Sequence, residues 1–333
     1  MVDRQLSDKI RIASFVCTFF VIVRHSLNLQ AFGITDKPPS LLTFCEYGIS
    51  KQTEIAVPFF FIVSGFFFLR YSYTTKEMYF EMIAKKVKTL FIPFLIWNII
   101  GCIPLILTNK FIIEKNFWLY VIQLMHSDWN GVLWYVRDIM TMMLVAPLYT
   151  WVFRVNNKWL YLVIFCLLFY FWMPVDCSWV SSEGMVFFFI GGVIQKNKEI
   201  LYSMKNMPKS ILALLFLIWF ISCFFFPKLW SIHRYNTLLG IVVFWCLLDK
   251  IPQKYTYRIL KVSVYSFFIY VIHLDIIKMM KVGLAHVFYQ NQLIALVTFF
   301  ILPIVTMFIC LFIGRLWHRC FQTSFSIVTG GRG

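Results

Sequence analysis

Residues 10–26 read IRIASFVCTFFVIVRHS, and this stretch decides what kind of fold the chain adopts. It is apolar over most of its length, and a helix needs about 20 such residues to cross the hydrocarbon core of a bilayer. Because Arg24 and His25 close the run and no small-residue cleavage site follows, we expect it to persist as a first transmembrane helix. Similar apolar runs recur along the whole chain.

The composition is typical of a membrane protein. Of the 333 residues, 60% are hydrophobic and 14% are charged, whereas soluble domains carry about 25% charged residues. The mean hydropathy of +0.76 excludes an ordinary soluble domain and a disordered chain. The net charge of +16 does not predict nucleic-acid binding, because cytoplasmic loops of membrane proteins collect Lys and Arg.

Ten apolar segments predict an all-α, polytopic integral membrane protein, with a single transmembrane domain over residues 1–333 and no separate soluble domain. Lys and Arg are concentrated in the N-terminus, the even-numbered loops and the C-terminus. The positive-inside rule therefore predicts that both termini are cytoplasmic. The ten segments lie near residues 10–30, 54–72, 89–108, 131–152, 159–174, 184–195, 210–226, 237–249, 262–280 and 291–315.

Two polar residues share one face of the first span. Arg11 and His25 are 14 residues apart, a separation that returns to within about 40° of the same face and rises about 21 Å. The pair is typical of a functional face, but it equally fits an Arg at the inner headgroups and a His at the outer ones.

The ninth span carries a stripe of four polar side chains, Ser263, Ser266, Tyr270 and His273. At helical spacing the stripe is about 80° wide, so we expect it to face a protein interior or a wet cavity. Hydrogen bonding between helices is the alternative explanation.

Further polar residues lie at the predicted outer ends of the second and fourth spans. With the two histidines, they predict that His25, Glu54, Arg137, Asp138 and His273 converge in the outer half of the membrane. Trp134 and Tyr135 beside them also fit an interfacial aromatic belt, and Ser64 with Gly65 also fits close helix packing.

The basic residues of the predicted cytoplasmic side allow two interpretations. Lys85, Lys86 and Lys88, with Arg258 and Lys261, lie on the side of Arg11, where they could hold a nucleotide phosphate or simply follow the positive-inside rule. No metal site is predicted, because His126, His233, His286 and His318 lack metal-ligand spacing and are expected to be solvated. A disulfide between Cys45 and Cys177 is left open.

Taken in order, several motifs resemble the integral-membrane acyltransferase family 3. The resemblance covers residues 10–280 and rests on Arg11 with His25 and Ser26, FFFIVSGFFF around Ser64 and Gly65, LFIPFLIW at Pro93, LWYVRDIM at Trp134 to Asp138 with Pro147 following, FFFIGG at Gly191 and Gly192, and SVYSFFIYVIH ending at His273.

The resemblance implies a ten-helix enzyme of the inner (cytoplasmic) membrane. Such enzymes transfer an acyl group, usually acetyl and sometimes succinyl, from cytoplasmic acyl-CoA to a hydroxyl of an exported or surface glycan or its lipid-linked precursor. Acyl-CoA is then a co-substrate, and no permanently bound cofactor is expected. By position, His25 matches the family's catalytic His and Arg11 its first-span Arg, although the family usually spaces them 11 residues apart.

Acyl transfer needs a base for the hydroxyl and donors for an oxyanion. We assign His25 as base, Arg137, Tyr270 or His273 as oxyanion donors, and Asp138 as an orienting group. The substrate-binding candidates are Arg11, Glu54, Ser64, Trp134, Tyr135, Lys85, Lys86 and Lys88. A transporter or flippase for a lipid-linked saccharide is the alternative, and an assembly protein is a third; no inverted repeat supports the transporter.

Overall fold

The computed structural model describes residues 4–69, 75–114, 116–172 and 180–332, and these residues form helices with no strand among them. The predicted all-α class is therefore confirmed. The helices are α1 (Arg4–His25), α2 (Leu41–Thr53), α3 (Ala56–Phe68), α4 (Lys76–Lys86), α5 (Ile92–Leu107), α6 (Phe117–His126), α7 (Trp134–Leu144), α8 (Ala146–Val155), α9 (Lys158–Trp172), α10 (Ser182–Lys196), α11 (Glu199–Lys205), α12 (Lys209–Phe225), α13 (Trp230–Leu248), α14 (Gln253–Val262), α15 (Ser266–Val287), α16 (Gln292–Cys320) and α17 (Gln322–Thr329).

Four helical stretches are long and apolar enough to cross a membrane, and the number rises to six if two bent helix pairs each count as one span. The four are Leu41–Phe68, Lys76–Leu107, Gln253–Val287 and Gln292–Cys320. Other predicted spans coincide with helices that are shorter, such as α9, or that carry several charged residues, such as α1. Ten spans and cytoplasmic termini therefore stay predictions, as does the single domain.

Several predicted span boundaries differ from the helix ends, and two of these differences lie close to His25 and Glu54. The first span was expected to reach residue 30, but α1 ends at His25, where Ser26 Oγ donates to the Val23 carbonyl oxygen at 2.7 Å. The second span was expected to begin at Glu54, but helix starts earlier, at Leu41, and breaks around Glu54 before α3. Local polar contacts override the apolar pattern at both places. Cys177, one half of the disulfide left open above, lies outside the described residues.

The described residues divide into two compact units. The first unit comprises those of Met1–Phe59 and Leu201–Leu316, and its core joins α1, α15 and α16 through Ile22, Ile269 and Cys310. In a bilayer such contacts stabilise helix association through van der Waals packing, because lipid tails are as apolar as these side chains. This packing holds the last turns of α1 against α15.

The second unit comprises the described residues of Phe60–Ile200 and Trp317–Gly333. Helices α3 and α10 approach closely there because both carry glycine at the contact. A Cβ on Gly65 would overlap the carbonyl oxygen of Phe188, and a Cβ on Gly191 would overlap that of Ile62. The predicted packing role of Gly65 is therefore confirmed.

The C-terminal helix α17 packs against α5 within the second unit. Trp97 Nε1 donates to the carbonyl oxygen of Val328 at 2.8 Å. Gly330 follows α17 with φ +64° and lies against the backbone of Thr89, where only glycine fits the left-handed conformation and the close approach. The end of the chain thus forms part of this unit.

Candidate active site

His25 and His273 lie side by side in the first unit. His25 is the last residue of α1 and His273 lies in the second turn of α15, and their ring centroids are 5.3 Å apart. Because imidazole side chains lean toward the N-terminus of their own helix, the His25 ring folds back from the end of α1. Among the described residues, no group hydrogen-bonds a ring nitrogen of His25, which is half-buried.

The hydrogen bonds of His273 fix its tautomer. Its Nδ1 lies 2.7 Å from the carbonyl oxygen of Tyr270 and 3.3 Å from that of Ile269, and carbonyls only accept, so Nδ1 carries the proton. In the neutral ring Nε2 is then an acceptor. His273 is fully buried, and Nε2 has no hydrogen-bond partner in the part of the chain that the structure describes. A buried acceptor without a hydrogen-bond donor costs free energy unless a ligand or solvent molecule donates to it.

The polar stripe of α15 is confirmed as inward-facing. Ser263, Tyr270 and His273 are all buried. The Ser263 and Ser266 hydroxyls donate to backbone carbonyls one turn earlier, at 2.9 and 2.7 Å. Ser263 lies in a short 3-10 turn between α14 and α15, so the two hydroxyls satisfy carbonyl oxygens of α14 and of this turn. Further along α15, the His273 ring contacts the ring of His25.

Two further side chains hold the segment that follows His25. Lys281 Nζ donates to the carbonyl oxygens of His25 and Leu27, at 2.8 and 2.7 Å. Glu46 on α2 accepts hydrogen bonds from the backbone N–H groups of Asn28 and Leu29. Sequence reasoning missed both residues. Their only signal was a charge beside an apolar run, which many interfacial residues share.

Glu54 is the centre of an ionic cluster. Its carboxylate lies 3.1 Å from Arg24 and 3.1 Å from Lys51, and 2.8 Å from His233 Nδ1. The expectation that His233 is solvated is wrong, because α13 begins before it and carries the ring inward. These contacts indicate that Glu54 joins α1, α2 and α13, and its predicted substrate contact stays a prediction.

Arg11 lies on the same helix as His25, as expected. It is exposed, its Nη2 donates to the carbonyl oxygen of Leu260 at 3.3 Å, and Asp8 is 3.9 Å away. Because α1 is continuous from Arg4 to His25, the 14-residue spacing separates the two side chains by about 21 Å along the helix axis. Arg11 is therefore remote from the His25 ring.

Arg137 and Asp138 form a buried pair in the second unit. Arg137 Nε and Nη2 donate to one oxygen of Asp138 at 3.1 and 3.0 Å, and Nη1 donates to the His126 carbonyl oxygen at 2.9 Å. The other Asp138 oxygen accepts from the backbone N–H of Ser181, the N-cap residue of α10, at 2.8 Å. The pair joins the end of α6, the start of α7 and the start of α10.

Three more predicted residues meet in the second unit. The hydroxyls of Ser64 and Tyr135 are 3.1 Å apart, and the Phe61 ring contacts both Tyr135 and Trp134, at centroid distances of 4.8 and 6.2 Å. This cluster is mostly aromatic. It agrees with the packing interpretation of Ser64, and the predicted substrate role is not tested by it.

The predicted phosphate-binding lysines lie at the end of α4 and in the turn after it. Residues Val87–Phe91 form a π-helical turn, a widened turn that is frequent at functional sites. Lys85 and Lys88 are exposed and Lys86 is half-buried. Their exposure leaves them able to bind an anion.

The five residues expected to converge thus fall into two groups. His25, Glu54 and His273 belong to the first unit, and within it the two rings are in contact. Arg137 and Asp138 belong to the second unit, where they contact each other. Tyr270 lies with the first group, its ring centroid 6.1 Å from that of His273.

Residues 10–315 match a family model described as an acyltransferase domain, that of acyltransferase family 3. The match spans α1 to α16 and includes every predicted site residue. A search of the curated proteins and a search of the solved structures found no match. Since the family model covers most of the chain, this protein belongs to acyltransferase family 3.

Proposed function

We propose that this membrane acyltransferase is an O-acyltransferase that moves an acetyl group, or a succinyl group, from cytoplasmic acyl-CoA to a hydroxyl of an exported or cell-surface carbohydrate or its lipid-linked precursor. We place it in the inner (cytoplasmic) membrane, with ten spans and cytoplasmic termini. The observation that carries the proposal is the His25 ring, which no described residue hydrogen-bonds although it lies in a half-buried site beside His273.

His25 is the general base of the proposed reaction. A ring nitrogen takes the proton of the acceptor hydroxyl as its oxygen attacks the carbonyl carbon of the thioester. The tetrahedral intermediate then collapses, the carbon–sulfur bond breaks, and the CoA sulfur receives the proton from the His25 imidazolium. The products are the ester and CoA–SH, and His25 returns to its neutral form. A proton-transfer group of this kind typically contributes about 10² to 10⁴-fold.

For His273 we propose a positioning role in place of the oxyanion donor inferred from the sequence. A donor must present an N–H to the developing negative charge. Its Nδ1–H is already used by the Tyr270 carbonyl, and its Nε2 is an acceptor. Nε2 can instead accept an N–H from His25, which would leave the other His25 nitrogen free to act as base.

The other candidate residues keep the roles that the sequence predicts for them. Tyr270 and Arg137 stay the candidates for oxyanion stabilisation, and Asp138 orients Arg137 through their hydrogen bonds. Arg11 in the first unit and the lysines of α4 in the second unit stay separate candidates for binding the nucleotide end of acyl-CoA. The distance of about 21 Å along α1 between Arg11 and His25 suits a long thioester arm.

The donor can be tested first, because the acceptor need not be known. The purified protein in nanodiscs is titrated with acetyl-CoA, succinyl-CoA and desulfo-CoA while its Tm is followed, since a ligand that binds only the folded state raises Tm. We expect saturable stabilisation by one acyl-CoA. The double variant Lys85→Glu/Lys86→Glu should weaken it, whereas Lys158→Glu, at the exposed start of α9, should leave it unchanged.

Transfer is tested by supplying acetyl-CoA labelled in the acetyl group to membranes that contain the protein. Alkali-labile label in the polysaccharide or lipid-linked glycan fraction is expected, and it should vanish with His25→Ala. If a folded protein shows neither stabilisation by millimolar acyl-CoA nor transfer, the O-acyltransferase proposal fails. The flippase alternative would then be tested with lipid-linked saccharides.

A further inference from the structure

The end of α1 receives a charged side chain from α15. Lys281 Nζ lies 2.8 Å from the carbonyl oxygen of His25 and 2.7 Å from that of Leu27. The last four carbonyls of a helix have no partner within the helix. Lys281 therefore satisfies the backbone of the very residue that we assign as base, together with the turn that follows it.

The surroundings of Lys281 are unusual for a half-buried lysine. A buried ammonium group is normally paired with a carboxylate, because removing its charge from water is costly. Within the described part of the chain, no carboxylate lies within 4.0 Å of Lys281 Nζ, and its hydrogen bonds go to the two carbonyls alone. Its positive charge faces the negative end of the α1 dipole, and the Glu46 carboxylate on α2 attracts it without a direct ion pair.

Helix α15 contacts His25 at two positions along its length. His273 contacts the ring, and Lys281, eight residues later and about 12 Å further along α15, holds the backbone. This order matches the geometry of α1, because the His25 side chain leans toward the N-terminus of the helix while its carbonyl points toward the C-terminus. Two side chains of α15 thus contact His25, one at its ring and the other at its carbonyl oxygen.

Glu46 completes the fixation from α2. It accepts from the N–H groups of Asn28 and Leu29, the residues that follow those held by Lys281. Asn28 is held as well, since its Nδ2 donates to the Ala295 carbonyl oxygen and the Thr298 hydroxyl, both at 2.8 Å. The turn after His25 therefore has polar contacts to α2, α15 and α16.

We propose that Lys281 is a positioning residue that sets the orientation of the His25 ring by holding its carbonyl. The inference rests on the proposed function, in which His25 is the base. Lys281 does not need to touch a substrate. Its loss should lower kcat, since a misplacement of about 1 Å can cost about 10²-fold, and it should leave the KM for acyl-CoA almost unchanged.

The test compares three variants in nanodiscs, assayed well below the lowest Tm of the set. Lys281→Met removes the charge and both hydrogen bonds, and we expect kcat to fall about 10 to 100-fold with KM for acyl-CoA within twofold of the wild-type value. Lys281→Arg keeps the charge and the donors and should recover most of kcat. Lys158→Met is the control, because Lys158 is exposed at the start of α9, and it should leave kcat unchanged.

Lys281→Gln covers the case in which the Met variant does not fold. Glutamine is shorter than lysine and cannot reach both carbonyls, so we again expect a reduced kcat. Wild-type kcat in Lys281→Met or Lys281→Gln would overturn the inference. So would a loss in which Lys281→Arg is as slow as Lys281→Met, because the effect would then come from general packing.

Failure of the inference is distinguishable from failure of the proposed function. If His25→Ala abolishes transfer while Lys281→Met does not alter it, only the positioning role is wrong. If the wild-type protein transfers no acyl group and binds no acyl-CoA, the proposed function is wrong and the positioning role falls with it.

Discussion

The imidazole rings of His25 and His273 lie with their centroids 5.3 Å apart, and the only described polar partner of either ring is the backbone of α15. One ring is fixed by hydrogen bonds to its own helix, and the other remains free to exchange a proton. This arrangement suits the proposed pairing of an orienting group with a general base. The chemistry proposed for the protein depends on it.

His25→Ala should reduce acyl transfer by about 10² to 10⁴-fold. The stabilisation of the protein by acyl-CoA should persist, because the nucleotide end is proposed to bind elsewhere. Transfer assays and thermal-shift titrations check both statements. His286→Ala is the control, since His286 is exposed on α15, and equal losses in the two variants would contradict the assignment of His25.

His273→Phe should lower kcat by about 10²-fold, by allowing the His25 ring to leave its productive orientation. Phenylalanine fills similar volume but offers no acceptor nitrogen. His273→Gln, whose side-chain oxygen can accept, should retain more activity than the Phe variant. The KM for acyl-CoA should change little in either. A Gln variant no faster than the Phe variant would speak against an acceptor role.

Gly65→Ala and Gly191→Ala should each destabilise the protein by about 1 to 3 kcal/mol, because an added methyl group overpacks the contact between α3 and α10. The contact is between backbones, so no side chain can move aside. A lower Tm in nanodiscs is the readout. Gly283→Ala is the control, since the space around its Cβ position is open, and it should leave Tm unchanged or raise it.

Arg137→Met should destabilise the protein by about 3 to 5 kcal/mol, because it leaves the buried Asp138 carboxylate without its charged partner. The double variant Arg137→Met/Asp138→Leu removes both charges and should lose less stability than the single variant. Thermal unfolding of the two variants and of Asp138→Leu completes the cycle. Strict additivity would show that the two side chains act independently.

The loop residue Asp36 makes folding stability depend on pH, and the sign of this dependence follows from its pKa. Lys228 Nζ donates to its carboxylate at 2.8 Å, and this hydrogen bond lowers the pKa of Asp36. A carboxyl group whose pKa is lower in the folded state stabilises the protein above its unfolded-state pKa and loses this contribution as the pH falls through its folded-state pKa. The pair is exposed, so the contribution is small.

The Tm difference between the wild-type protein and Asp36→Asn should therefore be largest near pH 7. It should vanish at a pH below the lowered pKa of Asp36. Lys228→Met should show the same trend, because it removes the other partner of the pair. A difference that grows on acidification would contradict this account.

Several features followed from the sequence alone. The all-α class followed from apolar runs of helical length, and the family from six short motifs in a fixed order. The positions of Arg11 and His25 on one helix followed from their spacing, because helix geometry converts residue number directly into rise and angle. The packing role of Gly65 followed from its place between large apolar residues.

Only the tertiary structure decided which polar groups meet. That Glu54 contacts His233, and that Lys281 contacts the carbonyl of His25, depends on how α2, α13 and α15 pack against α1. Packing of this kind is set by side-chain shape over many residues far apart in the chain, which local periodicity does not encode. The sequence therefore predicted His25 as the base, and the tertiary structure showed which side chains contact its ring and its carbonyl oxygen.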